Sequence, residues 1–307
     1  MQRKQVFILG LILIGAVVLI LVVYSWVNKK EIDSRAVFQK EIVTNLKEDY
    51  SVKDTIFESL DGKNQHVVAI IHWESKIGLD RQDSLVVFEL RGDKLVEIFN
   101  STEWIFELGN ELIGDYVRAE DINQDNLKEF IVSGGTGGNC WTCEYLRVFQ
   151  VRKHKAFELL SNLPETQIIY GIMDLDRDGI AELLVLDAEW EFYMELCHAC
   201  SPSVDLIYTW KKDRYKEASI EFSFYYEEKI KKIEKEIEEM GVRERGSGYY
   251  IGKVISIFLN YIKKGEREKG WEVFKNYMAE ENFKDKAFID TSKWIVKDLH
   301  RRFFRQP

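Results

Sequence analysis

The 307-residue sequence lacks the residue patterns by which the common hydrolytic sites are recognised. It contains no Ser-His-Asp or Cys-His-Asn arrangement with a usable context, no pair of glycosidase carboxylates and no His-Glu-x-x-His motif. The glycine-rich stretch 134–138 lacks the Lys-Ser/Thr pair and the following helix of a phosphate-binding loop. These absences favour a binding or structural role over catalysis.

Positive charge is also scarce over most of the chain. Residues 31–225 contain 37 acidic side chains against 20 lysines and arginines, whereas residues 226–307 carry a net charge of +4. Because nucleic acid is a polyanion, the acidic part would repel it and attract cations instead. The change of sign predicts two modules with different surfaces, 31–225 and 226–307, and no nucleic-acid partner.

One long apolar run stands at the start of the chain. Residues 5–27 carry no charged side chain, and a run of this length matches the hydrocarbon core of a bilayer. It is too long for a signal peptide, no small-x-small cleavage site precedes Asn28, and no cysteine follows closely enough for a lipoprotein anchor. We therefore predict that residues 1–30 are an uncleaved, single-pass membrane anchor. A short basic tail usually stays in the cytoplasm, which predicts a cell-membrane protein whose bulk is extracytoplasmic.

Two segments of the acidic module repeat one pattern 53 residues apart. DINQDNLKEFIVS at 121–133 and DLDRDGIAELLVL at 174–186 share acidic or amide side chains at positions 1, 3 and 5. Both then have a turn-forming residue, and glutamate at position 9 ahead of an apolar strand. A weaker copy, LDGKNQHVVAII at 60–71, has lost most of the acids, and we expect it to be structural. This period, filled with short β-type segments, predicts antiparallel sheets in an incomplete or open propeller-like repeat module.

From about residue 226 the apolar spacing becomes that of helices. The segment EEKIKKIEKEIEEM places Ile230, Ile233, Ile237 and Met240 on one helical face. We predict an α-helical domain over 226–307, which offers a surface to a partner protein. The predicted fold is thus a transmembrane helix, a mainly β repeat domain over 31–225 and an α-helical C-terminal domain.

The acidic loops predict metal sites, because side chains on alternate residues of a tight loop converge on one side of it. Carboxylates, amides and backbone carbonyls offer only oxygen, which suits Ca²⁺ better than Zn²⁺. The predicted ligands are Asp174, Asp176, Asp178, the Ile180 carbonyl and Glu182 in one loop, and Asp121, Asn123, Asp125, the Leu127 carbonyl and Glu129 in the other. The alternative is that both loops are solvated turns that start strands without a metal.

The loop pattern resembles the calcium loops between strands of the FG-GAP and VCBS repeat families, which are known from integrin α-subunit propellers and bacterial surface proteins. The resemblance covers roughly residues 55–215 and implies calcium-binding β repeats of the propeller type. Members of these families usually have aspartate at position 9, where this chain has glutamate.

All four cysteines lie in two C-x-x-C pairs at matching places in consecutive copies, namely Cys140 with Cys143 and Cys197 with Cys200. In a reducing compartment four such thiolates would hold zinc, whereas outside the membrane disulfides within or across the pairs compete. Redox activity is a third alternative, and haem attachment is excluded because no histidine follows either pair. We expect the two pairs to act as one staple between copies.

Taken together, these patterns predict a membrane-anchored, extracytoplasmic binding or scaffold protein with calcium-loop β repeats and a cysteine staple. Two alternatives stay open at this point. One is a cell-envelope hydrolase whose site residues are distant in the sequence, and the other is a cytoplasm-facing regulator that binds zinc.

Overall fold

A computed structural model describes residues 33–74, 81–101, 117–135, 139–240, 247–279, 282–283 and 286–304. The predicted membrane anchor, residues 1–30, lies outside the described residues. Within them, no helix combines the length and the apolar character needed to cross a membrane. The described chain begins with a short helix, α1 (Ser34–Glu41), whose first turn is capped by the Asp33 side chain accepting a hydrogen bond from the backbone N–H of Arg35.

The acidic module is mainly antiparallel β structure, as predicted. Its described strands are β1 (Tyr50–Glu58), β2 (His66–Glu74), β3 (Arg81–Arg91), β4 (Lys94–Ser101), β5 (Val117–Glu120), β6 (Glu129–Gly135), β7 (Glu144–Arg152), β8 (Lys155–Leu159), β9 (Gln167–Met173), β10 (Glu182–Asp187), β11 (Asp205–Lys211) and β12 (Arg214–Glu217).

These strands form three consecutive four-stranded antiparallel meanders, β1–β4, β5–β8 and β9–β12. The first meander is a sheet of its own. The second and third meet edge to edge through β7 and β9, where Leu146 pairs with Ile169, and together make an eight-stranded sheet. No closed barrel forms among the strands described.

Two apolar cores follow from the alternation of side chains along the strands. On β6, Phe130 and Val132 face the core shared with the first meander, while Ile131 faces the core shared with the third. Phe130 stacks on Phe149 of β7 with ring centroids 4.8 Å apart. Strand β6 and the second half of β7 are therefore buried on both faces, so the apolar run of β6 is continuous rather than alternating.

The C-terminal region is helical, as predicted, with described helices α2 (Ser223–Glu239), α3 (Gly248–Lys263), α4 (Arg267–Tyr277) and α5 (Lys286–Phe304). The central helix α3 is the most buried, and its Phe258 packs on Trp271 and Phe274 of α4. A Cβ atom at Gly270 would lie 2.4 Å from the Cβ of Tyr261, so the crossing of α3 and α4 requires glycine there.

The helical region is attached to the third meander by buried polar contacts. Asp205, the first residue of β11, forms an ion pair with Lys229 and accepts a hydrogen bond from the hydroxyl of Tyr225 at 2.5 Å. In the connection between β10 and β11, the hydroxyl of Tyr193 donates to Asp298 of α5 at 2.8 Å. Helix α2 follows β12 after a short 3-10 helix (Ser219–Phe222), and its Tyr225 and Lys229 contact the start of β11.

Candidate functional site

The candidate site is built from the loops that join the first and second strands of the three meanders. We call them the first loop (59–65), the second loop (121–128) and the third loop (174–181). The residue that ends each loop and starts the next strand is His66, Glu129 or Glu182, and all three are buried. In each case the backbone N–H at the second position of the loop donates to that side chain, at 3.3, 3.2 and 2.9 Å respectively. The three loops therefore share one local geometry.

The third loop brings three of its predicted ligands together. One oxygen each from Asp174, Asp176 and Glu182 lies within 4.8 Å of the others. The backbone N–H groups of Asp178, Gly179 and Ile180 donate to the carboxylates of Asp176, Asp174 and Asp178, at 3.2, 3.0 and 2.7 Å. Gly179 has φ +91°, a conformation that glycine adopts without strain. The turn thus brings Asp174 and Asp176 together with Glu182, whereas Asp178 lies outside this cluster.

The negative charge of the third loop has no cationic partner in the described part of the chain. Asp174, Asp176 and Asp178 are exposed and form no ion pair with a described lysine or arginine, while Glu182 is 1% exposed. Burial raises the pKa of Glu182, and the charges of Asp176 and Asp178 act in the same direction. Hydrogen bonds from Leu175 and Thr209 oppose this rise. A divalent cation would compensate the charge that the loop gathers.

The second loop differs from the third because the protein supplies it with a cation. Asp125 forms an ion pair with Arg152 at 2.9 Å and accepts a hydrogen bond from Gln150 at 3.0 Å. Gln150 also donates to Glu129, at 2.5 Å. The equivalent of Arg152 in the third meander is Lys211, which pairs with Glu221 instead of with the loop. The acidic side chains of the second loop do not form a cluster as tight as that of the third.

The second loop nevertheless carries one buried carboxylate oxygen without a partner and a buried glutamate with a raised pKa. Burial raises the pKa of Glu129 to about 7, and the charges of Asp125 and Asp121 add to the rise against hydrogen bonds from Ile122 and Gln150. Oxygen Oδ1 of Asp121 is buried and has no hydrogen-bond partner among the described residues. A buried polar atom without a partner is costly, so this loop too is suited to a cation.

The second and third loops lie side by side. The backbone N–H of Ala181 donates to the carbonyl of Ile122 at 2.7 Å, and the hydroxyl of Tyr215 donates to the carbonyl of Ala181 at 3.0 Å. The Gln124 side chain lies directly over Gly179, where a Cβ atom would come within 1.8 Å of its nitrogen. The two loops that are predicted to bind metal are therefore in direct contact.

The sequence interpretation missed the strand residues that complete these loops. Gln150, Arg152 and Thr209 come from the third strand of their meanders, and Gln150 is 21 residues from Glu129. The sequence did contain a signal for them. The third-strand residue that lies across from position 9 of the loop is polar in each copy. In the first copy it is Glu89, which pairs with His66.

Both cysteine pairs form disulfides within the pair, which is one of the alternatives left open above. Cys140 is bonded to Cys143 and Cys197 to Cys200, with Cα–Cα distances of 5.1 and 4.9 Å, and no cysteine is free. With these bonds formed, no thiolate is available for zinc, and no disulfide crosses from one copy to the next.

The two disulfide loops are nonetheless in contact, through a residue that the sequence did not single out. Glu191 accepts a hydrogen bond from the backbone N–H of Trp141 at 3.0 Å, and the same oxygen lies 2.6 Å from Nδ1 of His198. The rings of Trp141 and His198 are 6.0 Å apart. Trp141 lies inside one C-x-x-C pair and His198 inside the other, so Glu191 bridges the two loops.

Comparison with known proteins gives no family. No protein-family model matches the chain, and no curated protein matches it. The resemblance to FG-GAP and VCBS repeats therefore rests on the loop pattern alone.

Proposed function

We propose that the chain is a membrane-anchored, extracytoplasmic binding or scaffold protein whose β meanders are calcium-loop repeats of the FG-GAP or VCBS type. The observation that carries the proposal is the third loop, in which oxygens of Asp174, Asp176 and Glu182 lie within 4.8 Å of one another. Flexible carboxylate oxygens at this spacing are the ligands that Ca²⁺ prefers. Asp178 and the carbonyl of Ile180 would complete the oxygen set.

The second loop is proposed as a further calcium site of lower affinity. Its ligands would be Asp121, Asn123, Asp125, the Leu127 carbonyl and Glu129. The unpartnered oxygen of Asp121 and the raised pKa of Glu129 support a cation here. The Arg152 guanidinium already neutralises part of the charge of Asp125, so calcium would gain less than in the third loop.

Calcium in these loops would act on the scaffold, because the loops start the buried second strand of each meander and touch each other. The succession of three four-stranded meanders supports an open, propeller-like repeat module. The disulfides support the extracytoplasmic orientation, since disulfides form and persist in oxidising compartments. We propose that the helical region binds a partner protein. It carries exposed aromatic side chains, among them Tyr249 and Trp294.

The decisive experiment is a calcium titration of the full-length chain in detergent after treatment with EDTA, followed by thermal unfolding. We expect Ca²⁺, and not Mg²⁺ at the same concentration, to raise the melting temperature. The variant Asp176→Ala/Asp178→Ala should lose most of this rise. The matched control is Asp213→Ala, an exposed aspartate in the turn between β11 and β12, which should retain it. If millimolar calcium does not change the melting temperature of the unmutated protein, the calcium site in the third loop is refuted.

A further inference from the structure

The first loop differs from the other two in the side chains that surround it. Where the other loops end in Glu129 and Glu182, this loop ends in His66, and the residue paired with it on β3 is Glu89. Both His66 and Glu89 are fully buried, with 0% and 1% of their surfaces exposed. From the sequence this copy was expected to be structural because it had lost most of its acids. In the tertiary structure, Glu89 of the third strand places a carboxylate beside this loop.

Three side chains converge behind the first loop. One potential ligand atom each from Asp61, His66 and Glu89 lies within 4.8 Å of the others. Nitrogen Nε2 of His66 is 3.8 Å from a carboxylate oxygen of Glu89, too far for a hydrogen bond, and it has no partner among the described residues. A fully buried ring nitrogen without a partner is unfavourable unless a ligand satisfies it. The unpartnered nitrogen indicates a ligand at this position independently of the two acids.

A second histidine, from the next meander, contacts Glu89, although it is not one of the three residues whose ligand atoms lie within 4.8 Å of one another. His154 lies in the two-residue turn between β7 and β8, where Lys153 and His154 have φ +50° and +63°, as in a type I′ hairpin. Its Nδ1 is 2.9 and 2.8 Å from the two carboxylate oxygens of Glu89. The His154 side chain is 59% exposed, so it offers a route between solvent and the buried cluster.

We propose that Asp61, His66, Glu89 and His154 form a zinc site between the first and second meanders, distinct from the calcium loops. Two imidazole nitrogens and two carboxylates are a four-ligand set of mixed nitrogen and oxygen, which suits Zn²⁺ and not Ca²⁺. Two carboxylates also balance the charge of one divalent ion. Because the ligands come from both meanders, the ion would join them across their shared core.

Zinc on Nε2 of His66 would change the hydrogen bond that the ring now accepts. The backbone N–H of Leu60 donates to Nδ1 at 3.3 Å, which is at the long end of the range for a hydrogen bond. A metal on Nε2 requires the ring proton on Nδ1, so zinc binding would replace the Leu60 contact by a hydrogen bond that Nδ1 donates. A backbone carbonyl is the usual second partner of a metal-binding histidine. Arg91, which now pairs with Glu89 at 2.7 Å, is 45% exposed and can turn to solvent.

The test is equilibrium dialysis of the full-length, oxidised chain in detergent against Zn²⁺ with excess Ca²⁺, and the bound zinc is measured by atomic spectrometry. We expect about one zinc per chain that calcium does not displace. His154→Ala changes an exposed turn residue and should weaken zinc binding by at least about tenfold without unfolding the chain. His66→Asn should abolish it. Substitution by Co²⁺ should give the visible absorption of a four-coordinate ion.

The control is His72→Ala, a histidine six residues further along β2 that pairs with Asp83 and lies outside the cluster. It should leave zinc binding unchanged. Alkylation with iodoacetamide before dialysis keeps any reduced cysteine from binding the metal. Zinc binding that is absent, or that is the same in His154→Ala as in the unmutated protein, would overturn the proposal. Neither result bears on calcium, which is tested by Asp176→Ala/Asp178→Ala.

Discussion

The backbone N–H of Ala181 donates to the carbonyl oxygen of Ile122 at 2.7 Å, and this bond joins the third loop to the second. It is a contact between residues of two successive meanders, which also meet through the β7–β9 pairing and a shared apolar core. A cation that stiffens one loop would therefore also restrain the other. The loops are therefore one of the places where the stability of the two meanders is coupled.

The first prediction concerns the cation that the protein itself supplies to the second loop. Replacing Arg152 by Gln removes the ion pair with Asp125 and leaves the loop more negative. We expect lower stability without calcium and a larger calcium-induced rise in melting temperature than in the unmutated protein. The difference should be roughly 1 kcal/mol, the scale of a partly exposed ion pair. Calorimetric titration with calcium measures it.

The control for this variant lies on the same strand. Arg147→Gln removes an arginine whose ion pair, with Glu158 at 3.4 Å, is remote from the loops. It should leave the calcium response unchanged. An equal response in both variants would mean that Arg152 and calcium do not compete for Asp125.

The second prediction concerns the packing of α3 on the disulfide loop. A Cβ atom at Gly252 would lie 1.8 Å from the carbonyl oxygen of Cys200, and a backbone atom cannot move away easily. Gly252→Ala should therefore lower the free energy of unfolding by about 1–3 kcal/mol, as overpacking does. In Gly248→Ala the nearest atom belongs to the Leu196 side chain, at 3.2 Å, so the loss should be smaller. Urea denaturation compares the two, and equal losses would contradict the close approach.

The third prediction concerns pH and Asp298. Burial raises the pKa of this carboxyl, but hydrogen bonds from Tyr193, Arg302 and Arg301 outweigh the effect and hold the pKa below its usual range. The stabilisation is therefore present above the ordinary pKa of an aspartate, about 4, and is lost as the pH falls through the lower pKa of the folded protein. Asp298→Asn should cost about 1–3 kcal/mol at pH 7 and less near pH 2.5.

Denaturation curves at both pH values give this comparison. Asp290→Asn, at an exposed position of the same helix α5, is the matched control and should change little at either pH. A loss in Asp298→Asn that is the same at pH 7 and pH 2.5 would show that the charge of Asp298 is not what stabilises the contact.

The fourth prediction concerns the two disulfides. Each closes a loop with a sequence separation of only three, and such bonds constrain the unfolded chain little. Losses in Cys140→Ala/Cys143→Ala and Cys197→Ala/Cys200→Ala should be additive to within about 0.5 kcal/mol, apart from the coupling carried by Glu191. Glu191→Gln should remove the coupling between the two disulfide loops. A large coupling that survives Glu191→Gln would restore the shared staple that the sequence led us to expect.

Local patterns predicted much of the fold because they depend on neighbours in the chain. The run of β-type residues around Phe130 and the helical spacing of Ile230 and Ile237 identified the change from sheets to helices, since each kind of element has its own residue pattern. The turn residues of the third loop likewise predicted where Asp174 and Asp176 converge, because their geometry is set within nine residues.

The sequence by itself determined the order of strands and helices, the position of the acidic loops and the types of their side chains. The tertiary structure decided which charges meet. Arg152 reaches Asp125 across 27 residues, and His154 reaches Glu89 across 65. The physical reason is that a loop's own turn is fixed by local hydrogen bonds, whereas its counter-charge comes from whichever strand packs beside it. One repeated loop pattern is therefore found in three different charge environments.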